Sequence, residues 1–112
     1  MLLDIQQEIA QEVVSRVANE WDKIVLDIEI GFVDGETVRS PRAFFYFSDE
    51  KEQFSTGFGV GELFENLREK MSEADKENRK WSICYLEIES DGQYVFKFSY
   101  DKPPRLTELQ NS

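Results

Sequence analysis

The chain has no histidine and only one cysteine among its 112 residues. Histidine is the side chain whose ordinary pKa lies closest to neutral pH, so the usual general base of an enzyme is missing. Cys84 has no second cysteine with which to form an internal disulfide, which is typical of a protein from a reducing compartment. We therefore expect a cytoplasmic protein that contains no disulfide.

Long apolar runs are also missing. No stretch approaches the ~20 consecutive apolar residues that a membrane-spanning helix needs. The first ten residues lack the basic start and the continuous apolar core of a signal peptide. We therefore expect neither a membrane span nor a secretory signal.

Basic residues are scarce: 13 Lys and Arg stand against 23 Asp and Glu, which gives a net charge of −10. Such a surface repels phosphate backbones and anionic lipids, so direct binding to nucleic acid or membrane is disfavoured. It attracts basic proteins instead. The alternative is that the charge only keeps a small domain soluble.

No group of residues in the sequence predicts catalysis or a metal site. Cys84 shares the strand parity of apolar neighbours, so we interpret it as a core thiol and not a nucleophile. Asp49, Glu50 and Glu52 lie close together but lack the spacing of a calcium loop. Three alternate glycines have no phosphate-loop context, because no Lys-Ser/Thr follows them and no basic residue is nearby in the sequence: Gly57, Gly59 and Gly61. We predict no catalytic residue, no cofactor and no metal ligand.

One pattern occurs twice in the chain. Trp21 begins W-D-K-I-V-L-D-I-E, and Trp81 begins W-S-I-C-Y-L-E-I-E. A helical pattern precedes each copy, and an Asp-Gly turn followed by a second apolar run comes after each. The repetition predicts a helix–strand–strand unit that is used twice.

The spacing of apolar residues assigns the elements of each unit. Steps of i, i+4 predict helices over 2–19 and 61–74. Period-two alternation predicts strands over 24–32 and 81–89, and the apolar runs 43–47 and 94–100 are their hairpin partners. Pro41 interrupts the second strand, so we expect it at a sheet edge or bulge. The segment 48–53 reads as a polar loop.

The order α-β-β-α-β-β predicts the α+β class. We expect a two-layer sandwich in which two helices cover one face of an antiparallel sheet of about four strands. Residues 1–112 form a single domain in this interpretation, and the C-terminal segment 101–112 is expected to be partly flexible.

Strand parity indicates which side chains stand on the sheet face that these two helices leave open. Each copy of the repeat places two carboxylates there, and Tyr85 adds an aromatic surface beside them. An ordinary solvent-facing sheet would explain these residues too, but like charges weaken a sheet unless a basic partner offsets them. We predict that this face binds a partner through Asp27, Glu29, Tyr85, Glu87 and Glu89. The acidic segment with Asp49, Glu50 and Glu52 is a second location. Acidic residues along the second helix read as a solvated face: Glu62, Glu65, Glu69 and Glu73.

The same motifs carry a family resemblance. The chain contains E-W-x-K-I-x-L, F-F-Y-F, L-F-x-x-L-R-E-K-M and, most specifically, W-S…L-E-I-E-S-D-G-x-Y-x-F-x-F-x-Y-D over 81–101. In this arrangement it resembles the YezG-like antitoxin (immunity) family. The resemblance implies a small acidic α+β protein, without catalytic residues, that neutralises a toxin domain, commonly a nuclease, in competition between bacteria.

The expected function is therefore that of an immunity protein. It would act as a monomer or weak homodimer and occlude the active site of a cognate toxin, a basic nuclease whose Lys and Arg residues complement an acidic surface. Two alternatives stay open: an acidic chaperone or adaptor that holds a basic segment, and a nucleic-acid mimic that competes for a DNA-binding protein.

Overall fold

The structure, a computed structural model, describes residues 2–110 and contains a mixed α+β fold. Its elements in chain order are α1 (Leu2–Ser15), β1 (Lys23–Val33), β2 (Glu36–Phe47), β3 (Glu50–Phe54), α2 (Phe58–Ala74), β4 (Ile83–Glu89), β5 (Tyr94–Ser99) and α3 (Pro104–Gln110). The strands form one antiparallel sheet in the order β3-β2-β1-β4-β5. The predicted fold class is confirmed, with one more strand and one more helix than expected.

The two central strands pair the two copies of the repeated pattern with each other. β1 and β4 run antiparallel, and Leu26 lies opposite Leu86. A local two-fold axis therefore passes between these leucines and relates β1 to β4 and β2 to β5. Each half is preceded by its own helix, α1 or α2, so the predicted helix–strand–strand unit occurs twice.

The hydrophobic core lies between the sheet and the α1–α2 layer. Alternate residues of β1 and β4 point into it, because successive side chains of a strand face opposite sides. The strands contribute Ile24, Leu26, Ile28, Ile30, Cys84, Leu86 and Ile88, and the helices contribute Ile9, Val13, Phe64 and Leu67. Trp81, also fully buried, packs against Phe98 with ring centroids 5.6 Å apart.

The segment predicted as a polar loop over 48–53 is instead largely the edge strand β3. Ser48 and Asp49 both have positive φ angles, 50° and 69°, and they form the tight turn that sends the chain back along β2. The Ser48 N–H also donates to Asp22 Oδ2 at 3.0 Å. The polar composition of β3 led to the prediction of a loop, although charged side chains are common on edge strands.

Pro41 lies at a sheet edge, as predicted. β3 pairs only with Ala43–Phe47, so within residues 2–110 the first part of β2, residues 36–42, has a strand neighbour on one side only. Proline has no N–H, and at an edge no ladder hydrogen bond is lost. None of the helices described is both long and apolar enough to cross a membrane.

The central leucine pair should carry much of the stability of the fold. Leu86 is fully buried, so Leu86→Ala removes packed atoms and leaves a cavity; we expect a loss of about 3 kcal/mol in the free energy of unfolding. Leu3→Ala on α1 is the matched control, since Leu3 is 74% exposed, and it should change stability by less than about 0.5 kcal/mol. Urea denaturation measures both variants, and equal losses would contradict the assigned core.

Candidate protein-binding site

The four carboxylates predicted on one sheet face do not form a single cluster. Because β1 and β4 are antiparallel copies of one pattern, the acidic pair of each copy lies at the opposite end of the pairing. Asp27 and Glu29 face Tyr85 and Ile83, whereas Glu87 and Glu89 face Val25 and Lys23. The register thus divides the predicted surface into two ends.

The end with Asp27 and Glu29 is covered by α3, so the prediction of an open face is wrong here. Arg105 Nη1 lies 2.6 Å from Asp27 Oδ1 and 3.5 Å from Glu29 Oε2. The contact with Asp27 is an ion pair without hydrogen-bond geometry. The Leu106 N–H donates to Glu29 Oε1 at 3.0 Å, and Glu29 is only 1% exposed. These two carboxylates are occupied within the chain.

Two further contacts hold α3 on the sheet. The Arg105 Nε donates to Ser40 Oγ at 2.9 Å, and Arg105 Nη2 donates to the Ser40 carbonyl. The Leu106 side chain lies so close to Gly31 that a Cβ at position 31 would come within 3.1 Å of it. The absence of a side chain at Gly31 therefore lets α3 approach β1. This part of the segment expected to be partly flexible, residues 104–110, is helical; residues 111–112 lie outside the described part.

The end with Glu87 and Glu89 carries mixed charge. Lys23 Nζ lies 2.8 Å from Glu87 Oε1, and this contact raises the pKa of Lys23. Glu89 is exposed and stands directly across from Lys23 on the neighbouring strand. Tyr85 is partly buried, and its burial raises its pKa. The structure therefore gives this end one internal cation for two carboxylates.

The acidic residues of α2 have basic neighbours as well. Glu65 Oε2 lies 2.9 Å from Arg39, and Glu69 Oε1 lies 2.7 Å from Lys80. A looser contact of 3.9 Å joins Glu73 to Lys70. Most of the negative charge of this helix face is therefore balanced locally.

A different acidic surface lies at the start of β3. Glu50 and Glu52 stand on the helix-facing side of this strand, paired with Phe47 and Phe45 of β2. Together with Glu20, the residue before Trp21, they line a cleft of about 280 Å³. We call this the acidic cleft: Glu20, Glu50 and Glu52 around Phe45 and Phe47. α1 ends at Ser15, and the helix layer leaves both β3 carboxylates exposed.

The carboxylates of the acidic cleft have no internal cation. Within residues 2–110, Glu20, Glu50 and Glu52 form neither an ion pair nor a side-chain hydrogen bond. Phe47 beside them is 40% exposed. Carboxylates accept charge-assisted hydrogen bonds from Lys and Arg, and an aromatic ring attracts the same cations. The cleft is therefore chemically suited to a basic side chain of a partner protein.

Sequence reasoning identified two of these three carboxylates and missed the third. Glu50 and Glu52 belong to the second predicted location, and Asp49 of that group lies in the adjoining turn, where it is exposed. Glu20 was not predicted, because it lies between elements and nothing local indicates that it meets a strand 30 positions later. Only the pairing of β3 with β2 brings these residues together.

The only cysteine is poorly placed for nucleophilic chemistry. Cys84 is fully buried, and this burial raises the pKa of its thiol, so the thiol stays protonated. In the part of the chain that the structure describes, no three His, Cys, Asp or Glu side chains are grouped to hold a metal ion.

Comparison with known proteins adds no assignment. No protein-family model matches the chain, and a search of curated proteins found no relative.

The ion pairs that Arg105 forms with Asp27 and Glu29 should contribute measurably to the free energy of unfolding. Arg105→Gln leaves the buried Glu29 without its cation, and because Arg105 is itself partly exposed we expect a loss of about 2 kcal/mol. Lys102→Gln is the control, since Lys102 is exposed and makes no ion pair within residues 2–110. The double variant Arg105→Gln/Glu29→Gln should recover part of the loss, because it removes the orphaned charge. Chemical denaturation measures the stability of all three variants. Equal stability of the two single variants would contradict a stabilising role for the Arg105 ion pairs.

Proposed function

We propose that this chain is an immunity protein that binds a cognate toxin domain, a basic nuclease, in the cytoplasm and occludes its active site. The observation that carries the proposal is the acidic cleft. It holds three carboxylates without an internal cation beside an exposed phenylalanine. The proposal moves the binding surface from the sheet face to this corner of the fold.

Electrostatics favour such a partner. A nuclease must hold the phosphates of its substrate, so its active site presents Lys and Arg residues. The net charge of −10 attracts that surface over a distance and speeds the encounter. Blocking the same Lys and Arg residues removes the substrate site, so occlusion alone is enough to inhibit the enzyme.

The cleft supplies both parts of a tight interface. Glu20, Glu50 and Glu52 can accept hydrogen bonds from a partner's guanidinium or ammonium groups. Phe47 offers an aromatic anchor, and anchors of this kind slow the dissociation of a complex. At several other acidic positions a partner's arginine would compete with a cation that the chain already provides, such as Arg105 at Glu29 or Lys23 at Glu87.

Two sequence features support the same reading. The motifs over 20–26, 44–47 and 81–101 resemble those of the YezG-like immunity family. The single buried thiol suits a reducing compartment, where such a protein would meet an incoming toxin.

Coexpression with the candidate toxin domain encoded beside this chain tests the proposal. We expect the wild-type chain to restore growth of cells that produce the toxin, and the purified pair to form a complex without nuclease activity. The triple variant Glu20→Gln/Glu50→Gln/Glu52→Gln should weaken this complex about a hundredfold, at about 1 kcal/mol for each carboxylate. Titration calorimetry measures the affinity.

The control variant changes the same amount of charge at exposed acidic residues outside the cleft: Glu8→Gln/Glu36→Gln/Glu62→Gln. It should bind within about threefold of the wild type, because these residues lie away from the cleft and only the overall attraction weakens. Equal losses in the two triple variants would reject the cleft as the contact. A complex that keeps its nuclease activity would favour the adaptor function, and failure to restore growth would reject the immunity function.

A further inference from the structure

The two edge strands of the sheet differ in how well they are protected against pairing with another chain. β3, at one edge, has charged side chains at three of its five positions. β5, at the other edge, reads Y-V-F-K-F-S, and Lys97 is its only charged residue. Charged residues and prolines are common means of blocking an edge, and an edge without them is a template for a further strand. β5 is therefore the edge that is open to pairing.

The outer side of β5 presents unpaired backbone groups. β4 is the only strand beside it among residues 2–110. The Glu89 N–H donates to the Gln93 carbonyl, so Gln93 directs its backbone groups toward β4. Because the backbone groups of successive residues alternate between the two sides of a strand, those of Tyr94, Phe96 and Phe98 point away from β4. No backbone group in 2–110 bonds to them there, and an added strand would pair with them.

The side chains of β5 form an aromatic row on the helix side of the sheet. The ring centroids of Tyr94 and Phe96 are 5.8 Å apart, and those of Phe96 and Phe98 are 6.2 Å apart. Phe96 and Phe98 are partly buried, whereas Tyr94 is 37% exposed. Aromatic pairs across neighbouring strands stabilise an antiparallel sheet. A strand with aromatic residues at the same spacing would extend this row.

An acidic groove lies beside β5 on the opposite face of the sheet. It has a volume of about 140 Å³, and its lining includes Glu87, Glu89 and Val95. Lys23 forms an ion pair with Glu87, but Glu89 is exposed and forms none within residues 2–110. The groove therefore lacks one cation.

Lys97 is a cation that lacks a carboxylate. It lies on the same face of β5 as Val95, is exposed, and forms no ion pair in the part of the chain that the structure describes. Its Nζ lies 6.0 Å from the centre of the Tyr85 ring. The same strand thus carries an unpaired cation and borders a groove with an unpaired carboxylate. Such a surface is complementary to itself when a two-fold axis relates two copies.

We propose that two copies of this chain form a homodimer through antiparallel pairing of their β5 strands, with the two-fold axis at Phe96. This register places each Phe96 opposite the other, and Tyr94 opposite Phe98 of the second copy. The outward N–H and C=O groups of these residues then bond to each other. The two aromatic rows become one.

The charges favour the same register. Lys97 lies opposite Val95 of the second copy, and Glu87 of that copy is one strand further. Two strand spacings are roughly 10 Å, which a lysine and a glutamate side chain span together. Lys97 thus completes the acidic groove of the second copy, and the reverse contact forms by symmetry. A register centred on Lys97 would instead place two like charges opposite each other, which is destabilising.

The dimer contains one continuous sheet with a β3 strand at each outer edge, because β3 and β5 are opposite edges of the monomer sheet. Both acidic clefts stay exposed, so the pairing does not depend on the proposed toxin binding. The contact is small, and the net charge of −10 opposes association, although charges beyond ~8 Å are largely screened at physiological salt. We therefore expect a weak dimer with a dissociation constant in the micromolar range.

Sedimentation velocity at physiological salt over a range of concentrations tests the proposal. We expect the wild type to change from monomer to dimer as its concentration rises. Lys97→Glu should weaken the dimer about tenfold, because it places like charges at both symmetry-related contacts. Lys51→Glu on β3 is the matched control: Lys51 is exposed and forms no ion pair within residues 2–110. It changes the net charge equally and should dimerise within about threefold of the wild type.

An exchange of charges tests which carboxylate Lys97 meets. The double variant Lys97→Glu/Glu89→Lys has the net charge of the wild type and should recover dimerisation to within about threefold. Both residues are exposed, so we expect each variant to fold, and circular dichroism checks this.

The proposal is overturned if the wild type stays monomeric at every concentration. It is also overturned if Lys97→Glu and Lys51→Glu dimerise equally well, since the contact would then lie elsewhere. A monomeric free chain whose β5 amides exchange more slowly only in a toxin complex would assign this edge to a strand of the toxin instead.

Discussion

The antiparallel contact between β1 and β4 is the constraint on which the rest of the structure depends. Leu26 and Leu86 lie opposite each other at its centre, and a local two-fold axis at this point relates the two copies of the repeated pattern. The same pairing directs the apolar residues of both copies into one core beneath α1 and α2. It also separates their acidic pairs to opposite ends of the sheet. A parallel pairing of the same residues would instead align the like charges of the two copies.

The distribution of cations then decides where negative charge stays available. Arg105 forms ion pairs with Asp27 and Glu29, and Lys23 forms one with Glu87. On the exposed face of α2, Arg39 and Lys80 form ion pairs with glutamates. Among the acids that are left without an internal cation in residues 2–110, Glu20, Glu50 and Glu52 lie together at the start of the edge strand β3, where the helix layer does not reach. They form the acidic cleft.

The sequence predicted what depends on local periodicity. Period-two alternation in β1 and β4 identified the buried leucines and isoleucines. Pro41 indicated that its part of β2 lies at a sheet edge. It could not predict contacts that depend on distant partners. α3 begins at the second of two consecutive prolines, and its place depends on Glu29, 76 positions before Arg105. The strand β3 was hidden by its polar composition. Gly57 has no basic neighbour in the sequence, because Arg16 approaches it only in three dimensions.

The central claim is that a basic partner binds at the acidic cleft and not on the sheet face. Hydrogen–deuterium exchange of the chain, alone and in complex with a candidate basic toxin domain, tests this claim most directly. The account predicts slower exchange in the complex over residues 47–53 and around Glu20, with little change over β4 and α3. Protection confined to β4, or to the outer face of α2, would contradict it.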